Sequence, residues 1–434
     1  MFDLIVRAKN IQIAIEAEKI VQIASEILSP SHAELEVQHL YAMPAVVDAH
    51  VHFNQPGNQA WEGILSGSRA LAVGGGTVFI DMPLNSIPVT TTKAALDLKL
   101  EALQNNAATD YAVWGGLTPD SLPHLEQLAA GGVIGFKAFM SGSGLPEFER
   151  SDEETLLEGM RMAAKLGLPV AVHAESEAIT SALTKVAREN GETSIRDYLD
   201  SRPVQAEFEA IETAIALAAE TGCALHIVHI SCIGGMEMVH NAKARGVNVT
   251  AETCPHYLWF DETDLERLGA VLKCAPPVRG RIEIESLWAN FGLIDTIGSD
   301  HSPAPPSMKT DSDFFKIWGG ISGVQSTLEV MLTAAQARGI PLEQLAQKLS
   351  ANPAKRFGLN HKGQLELGFD ADIALVEFKS WQLEQTDLHY RHAQSPYIGA
   401  NLSARVKHTI LRGQTIWDGK HLLESRGRFL RPSP

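Results

Sequence analysis

The segment Val204–Thr221, VQAEFEAIETAIALAAET, is followed by Gly222 and, at residues 224–230, by the run ALHIVHI. In the first part, apolar residues recur with the 3.6-residue period of an amphipathic helix, and Gly222 stands where such a helix would end. The second part is almost continuously apolar and has the length of a buried strand. Together they are typical of one helix and one strand in a repeating β-α fold.

The same alternation continues on both sides of this segment. Strands are predicted at residues 46–53, 77–82, 110–115, 133–139, 169–173, 224–230, 247–254 and 296–299. Apolar strands that alternate with helices indicate a parallel sheet covered on both faces. The pattern predicts an α/β protein whose eight units close into a (β/α)8 TIM-like barrel over residues 45–359, with an open doubly wound sheet as the alternative.

The two ends of the chain have a different pattern. Residues 1–44 and 360–434 contain short strand-like runs, such as DLIV at residues 3–6, separated by turn signals such as Asp418-Gly419. Alternation of this kind predicts β structure rather than further β-α units. We therefore expect both ends to pair as one smaller β domain.

Composition narrows the choice of partner and compartment. The formal net charge is −16, which gives no basic surface for nucleic acid or anionic lipid. No apolar run approaches the roughly 20 residues of a membrane span. The four cysteines show no CxxC pairing, so we expect reduced thiols in a cytoplasmic protein. The sequence favours a small-molecule substrate, with neither nucleic acid nor membrane as a partner.

The sequence DAHVH at residues 48–52 ends the first predicted strand. Successive strand residues point to opposite faces, so His50 and His52 should project to the same side. At the carboxyl end of a barrel strand they would lie at the opening where barrel enzymes build their active sites. By itself an HxH pair is compatible with a metal site or with a shared buried polar pocket.

Later strands end in residues of the same chemical kind. Lys137 lies near the end of the fourth predicted strand, His173 and His229 near the ends of the fifth and sixth, and Asp300 follows the eighth. Because these strand ends face one opening, the side chains should share a pocket with His50 and His52. Imidazole and carboxylate groups are ligands that Zn²⁺ prefers, so this set predicts a metal site.

Lys137 and His226 need separate interpretations. An ammonium group between divalent cations would be strongly repelled, whereas a carbamate formed with CO₂ would be an anion able to bridge two metals. Pairing of Lys137 with a nearby acid is the alternative. His226 lies three residues before His229 and should point to the opposite face, which indicates a structural role.

These residues and several further motifs resemble the cyclic amidohydrolases, which include dihydroorotase, hydantoinase or dihydropyrimidinase, and allantoinase. The resemblance spans essentially the whole chain, and its further motifs are GGGT at 74–77, DMPLN at 81–85, ETCPHY at 252–257, KCAPPVR at 273–279 and SDHSP at 299–303. It implies two divalent metal ions, zinc in the first place with cobalt and manganese as alternatives. The implied ligands are His50, His52 and Asp300 for the more buried ion, His173 and His229 for the more exposed ion, and carboxylated Lys137 as the bridge.

Within this family, single positions separate the members. A dihydroorotase would carry an arginine two residues after the HxH pair, where this chain has Asn54. Hydantoinases usually carry a tyrosine five residues after the bridging lysine, where this chain has Gly142. The closest resemblance is to the allantoinases, and it rests on MPLN at 82–85 with Pro88, SPAPP at 302–306 and WGGISG at 318–323.

The resemblance therefore implies hydrolysis of allantoin to allantoate in purine catabolism, with hydantoinase as the alternative. It implies that a hydroxide between the metals attacks the ring amide and that Asp300 passes the proton to the leaving nitrogen. It further implies that backbone groups near Ala275 and Gly319 hold the ring, and that the protein is a homotetramer. A noncatalytic relative should have lost several ligands, whereas this chain keeps all six.

Overall fold

The computed structural model describes residues 1–433. Within them, eight parallel strands follow one another around a barrel: Val46–Val51, Gly76–Asp81, Asp110–Val113 continued by Gly115–Gly116, Phe136–Phe139, Val170–His173, Leu225–Ile227, Val249–Thr253 and Thr296–Ile297. A backbone bridge between Val51 and His301 closes the ring between the first and eighth strands. The predicted TIM-like α/β barrel is thereby confirmed, and the open sheet is not formed.

Helices connect the strands and cover the outside of the barrel. They are Ile64–Val73, Lys93–Asn106, Leu125–Gly131, Glu153–Leu166, Glu177–Glu189, Ile195–Asp200, Val204–Thr221, Ile233–Ala244, Pro255–Trp259, Glu262–Leu268, Arg281–Ala289, Thr327–Ala337, Leu342–Ala346 and Asn352–Arg356. The helix predicted from periodicity ends as expected at Gly222, which has a left-handed φ of 69°. None of the helices found in residues 1–433 has the length and hydropathy needed to cross a membrane.

Strands from both ends of the chain lie together. They are Phe2–Ala8, Gln12–Glu16, Lys19–Ala24, Ser31–Val37, Tyr41–Pro44, Ile373–Glu377, Arg405–Leu411 and Gln414–Trp417. Trp381–Gln382 and Asn401–Leu402 pair with each other instead, and Trp381 and Leu402 pack in the apolar cluster of the barrel. The segment that enters the barrel, Tyr41–Pro44, pairs antiparallel with Ile373–Glu377, which follows the barrel. Val6 and Ile13 share one buried apolar cluster with Leu375. The domain boundaries at residues 44 and 360 stay a prediction.

Part of the C-terminal region packs directly on the barrel. Tyr111 in the third strand donates its backbone N–H to Arg428 O at 3.0 Å and accepts from Leu430 N at 2.7 Å. At a separate place, the Arg391 Nε donates to Glu62 O at 2.7 Å. These contacts fix Arg391 and the segment 428–430 to the barrel.

A buried ion cluster joins the barrel to the C-terminal strands. The Lys362 ammonium lies 2.7 Å from Asp110 and 2.8 Å from both Asp370 and Asp372, and its side chain is 2% exposed. Burial alone would lower the pKa of Lys362, but the neighbouring carboxylates outweigh it and raise the pKa above its usual value. Removing this one cation would leave the carboxylates without their central partner.

We expect Lys362→Met to lower the free energy of unfolding by about 3–5 kcal/mol, because buried charges would lose their counterion. The measurement is the urea midpoint followed by circular dichroism. Lys185→Met is the matched control, because Lys185 is 75% exposed and lies 3.8 Å from Glu189. Equal midpoints for the two variants would contradict the assigned role of Lys362.

Candidate metal centre

One cavity of about 390 Å³ opens at the carboxyl ends of the barrel strands, and most of the predicted site residues line it. These are His50, His52, His173, His229, Asp300, Ala275 and Gly319. Lys137 lies behind the cavity wall and is fully buried. The structure thus brings together residues that are up to 269 positions apart in the sequence (His50 to Gly319), as the barrel topology predicts.

The first group of donors consists of His50, His52 and Asp300. Both histidines project from the end of the first strand, and their Nε2 atoms lie 3.2 Å and 3.4 Å from Asp300 Oδ1. The ligand atoms of all three residues lie within 4.8 Å of one another. Nδ1 of His50 is turned away from this group and contacts Glu252 Oε1 at 2.7 Å, which leaves Nε2 as the free donor.

The second group is the pair His173 and His229. Nδ1 of His173 lies 3.1 Å from Nε2 of His229, and the ring centres are 4.7 Å apart. The other nitrogen of His173, Nε2, contacts Glu175 Oε2 at 2.8 Å. A carboxylate at Nε2 fixes the proton there and leaves the Nδ1 lone pair directed at His229.

The spacing of these donors fits metal ligation. Two ligand atoms bound at about 2.0–2.1 Å to one tetrahedral Zn²⁺ lie about 3.3 Å apart. The three closest donor distances are 3.2 Å and 3.4 Å in the first group and 3.1 Å in the second. The His50, His52 and Asp300 group could therefore hold one metal ion, and the second pair has the spacing for another.

Lys137, in the fourth strand, is the unusual member of the set. Its side chain is fully buried, and Nζ has no hydrogen-bond partner within residues 1–433. Nζ lies 4.9 Å from the centre of the Phe139 ring. Burial lowers the pKa of Lys137 to about 8, against the opposing influence of Asp300 and Glu252. A buried ammonium without a hydrogen-bond partner is costly, and the lowered pKa eases loss of its proton, which modification of the amine requires.

Two of the donors have backbone conformations that are rare for their residue type. His229 has a φ of 41° and Asp300 has a φ of 45°, both in the left-handed region. Each follows a short barrel strand, Leu225–Ile227 or Thr296–Ile297. Strain of this kind is concentrated at functional sites, where it directs a side chain that a regular strand would point elsewhere.

The same conformation explains an error about His226. We expected His226 to face away from His229, but its Nε2 lies 3.4 Å from Glu252 Oε2, the carboxylate that also holds His50. Strand alternation does not extend to His229, because the strand ends at Ile227 and the backbone turns there. His226 also contacts Thr250 Oγ1 at 2.8 Å, which is consistent with the structural role expected of it.

Glu252 and Glu175 were missed in the sequence. Both are fully buried, and each holds one ring nitrogen of a candidate ligand. A signal was present for Glu175, because it lies two residues after His173. Glu252 lies in the seventh predicted strand, but nothing in the sequence indicates its contact with the first strand.

The charge state of Asp300 follows from its neighbours. Burial would raise its pKa, but His50, His52 and His229 outweigh that effect and hold the pKa well below its usual value. The carboxylate is therefore ionised. It offers both a ligand atom and a proton acceptor at the centre of the donor set.

The wall of the cavity is formed in part by residues 315–320. The Lys273 ammonium donates to Phe314 O at 2.6 Å and Ile317 O at 2.5 Å, and Lys273 O accepts from Gly320 N at 2.7 Å. Trp61 packs edge-on against Trp318, with ring centres 4.9 Å apart. These contacts fix Gly319 at the cavity wall.

Solved structures of hydantoinases are similar to this chain. The L-hydantoinase (dihydropyrimidinase) of Arthrobacter aurescens superposes with a TM-score of 0.96 at 32% identity, covering 99% of this chain and 100% of that one. A D-hydantoinase superposes with a TM-score of 0.91 at 29% identity, covering 99% of both chains. The fold and its companion strands are therefore shared with these enzymes over their full length.

Sequence similarity is higher to proteins named allantoinase. The Solibacter usitatus protein is 52% identical over 97% of this chain and 93% of its own length. The Rubrobacter xylanophilus protein is 49% identical over 99% of this chain and 98% of its own. The profile of the amidohydrolase family matches residues 41–416. This chain belongs to the amidohydrolase family.

Proposed function

We propose that the protein is a metal-dependent cyclic amidohydrolase that hydrolyses allantoin to allantoate. The observation that carries the proposal is the convergence of the two donor groups, the first of which includes Asp300, in one cavity of about 390 Å³. Relatives named allantoinase that are 42–52% identical over nearly the whole chain support the choice of substrate.

The proposal includes two divalent ions, with zinc in the first place and cobalt or manganese as alternatives. His50, His52 and Asp300 would hold one ion, His173 and His229 the other, and Lys137, carboxylated by CO₂, would bridge them. The donor spacings and the buried, unpaired Lys137 amine support this arrangement. When bound, such ions activate a water molecule and polarise the amide carbonyl.

The chain's own residues would position the substrate and move the proton. Asp300, ionised and buried, would accept a proton from the attacking water and return it to the leaving ring nitrogen. Backbone groups at Ala275 and Gly319 would hold the amide and imide edges of the ring, because both residues line the same cavity. Glu252 and Glu175 would keep the His50 and His173 rings in orientation.

We further propose a cytoplasmic homotetramer. The subunit number rests on the family resemblance, and the compartment on composition and on four buried cysteines that form no disulfide.

Hydantoinase activity is the alternative, favoured by the close structural match to the Arthrobacter aurescens enzyme. Turnover of allantoin, hydantoin and dihydrouracil by one preparation separates the two. We expect kcat/KM for allantoin to exceed the other values by about tenfold or more, because a site built for one ring substituent discriminates against rings that lack it. Metal content is measured on the same sample. Comparable kcat/KM values for hydantoin would exclude the allantoinase assignment.

Lys137→Ala should lose bound metal and activity together, because the variant lacks the bridging group. Metal per chain is measured by mass spectrometry beside allantoin turnover, and ¹³C NMR of wild-type protein in ¹³C-bicarbonate tests for the carbamate. Lys185→Ala, at an exposed lysine, is the control. A Lys137→Ala protein that keeps both metals and full turnover would show that the bridge assignment is wrong.

Asp300→Ala should abolish turnover, and Asp300→Asn, which keeps one oxygen but accepts no proton, should lower kcat by about 10²–10⁴-fold. The rates are compared at equal metal content, so that loss of a ligand and loss of the proton acceptor are distinguished. Asp97→Asn, at a residue 58% exposed, is the control. Wild-type rates in metal-loaded Asp300→Asn would remove the proton-transfer role.

A further inference from the structure

The cavity with the metal donors continues into a second chamber of about 520 Å³. Gly142, Thr184, Arg188 and Arg202 line both spaces. Two of these four residues are arginines, and Glu177 and Glu189 line the second space beside them. Neither the metal ligands nor the proton-transfer role proposed above uses these arginines.

Arg202 is the arginine that the protein holds in place. Its side chain is 19% exposed, and its Nη1 donates to Glu175 Oε2, the oxygen that also contacts His173 Nε2 at 2.8 Å. Burial opposes its charge, but Glu175 outweighs burial and raises the pKa of Arg202, so the guanidinium stays charged. By contrast, Arg188 is exposed and stacks 5.4 Å from the centre of the Phe315 ring.

Most of the Arg202 hydrogen-bonding capacity remains free. A guanidinium has five N–H donors, and within residues 1–433 the bond to Glu175 is the only one that the Arg202 side chain makes. Because Arg202 lines the cavity, the remaining donors are available to a bound molecule. A planar fork of donors on a fixed side chain recognises an oxygen with free lone pairs, such as a carboxylate or a urea carbonyl.

The position of Arg202 decides which part of the substrate it meets. The amide that is cleaved must lie between the metal donors, next to Asp300, and the carboxylate of the product forms there. A group at the passage between the chambers must therefore be a substituent of the ring. Allantoin carries one substituent on its ring, an exocyclic ureido group with a carbonyl oxygen, whereas hydantoin and dihydrouracil carry none.

We propose that Arg202 donates hydrogen bonds to the carbonyl oxygen of an exocyclic ureido group and thereby selects ureido-substituted rings. This inference rests on the proposed function and assigns a specificity-determining residue to the same site. The competing role for Arg202 is purely one of positioning, in which it orients His173 through Glu175. The two roles differ in one measurable way, because positioning of His173 affects every substrate and recognition of the ureido group affects only substrates that carry it.

The test compares allantoin and hydantoin on metal-loaded Arg202→Gln, with hydantoin measured both as a substrate and as a competitive inhibitor. We expect kcat/KM for allantoin to fall by about 10- to 100-fold, mainly through KM, with the constants for hydantoin within about threefold of wild type. Arg202→Lys keeps the charge but not the planar set of donors, so its kcat/KM for allantoin should lie between those of wild type and Arg202→Gln. Arg161→Gln, at an exposed arginine, is the control.

A third variant, Glu175→Gln, gives the pattern expected of positioning alone. It removes the carboxylate at His173 Nε2 but keeps an amide oxygen that can still accept from Arg202, so it should impair allantoin and hydantoin in parallel. A parallel loss in Arg202→Gln, or loss of its bound metal, would overturn the ureido assignment. Failure of the wild-type holoenzyme to hydrolyse allantoin would instead overturn the proposed function, so the two failures are distinguishable.

Discussion

The backbone hydrogen bond from His52 N to His301 O, 2.8 Å long, closes the barrel, and the candidate site depends on that closure. It joins the first strand to the segment after the eighth and holds Asp300 against His50 and His52. Asp48 adds a second link, because its Oδ1 accepts from Ser299 N at 3.1 Å. In an open doubly wound sheet, the first and eighth strands would not be neighbours, and the three donors of this group would not meet.

Closure of the barrel brings the donor residues together but does not orient the histidine rings. Buried carboxylates orient them. Glu252 reaches from the seventh strand to His50 in the first, and Glu175 holds His173 from the segment just after its own strand. Each carboxylate takes up one ring nitrogen and so decides which nitrogen faces the cavity. Lys137, behind the cavity wall, has no hydrogen-bond partner within residues 1–433. The centre thus combines free ring nitrogens on the imidazoles with a buried, unpaired amine. Bound cations and a modified lysine would resolve both features at once.

The features of the fold and site that were predicted correctly depend on residues that are close together in the sequence. Val46–Val51 is a regular strand, so the common face of His50 and His52 follows from alternation alone. The helix Val204–Thr221 begins and ends at the residues that its apolar periodicity predicts. What failed depends on three-dimensional detail. The left-handed turn at His229 breaks the alternation that was applied to His226, and the contact between Glu252 and His50 crosses 202 residues. No local pattern encodes such a distance.

Substrate choice must then lie in side chains that do not support the barrel. The chain shares its fold with a hydantoinase at a TM-score of 0.96 although only 32% of residues are identical, while its identity to proteins named allantoinase reaches 52%. Gly142 shows that the cavity wall can change without a change in the barrel strands. A Cβ at this position would contact only Glu177 Oε2, at 3.9 Å. The backbone would accept a larger side chain at this position without moving a strand. Arg202 is more constrained, since its Nη1 donates to Glu175 Oε2, the oxygen that also contacts the candidate ligand His173. The wall therefore contains one position with free space around it and one side chain that a neighbouring carboxylate holds in place.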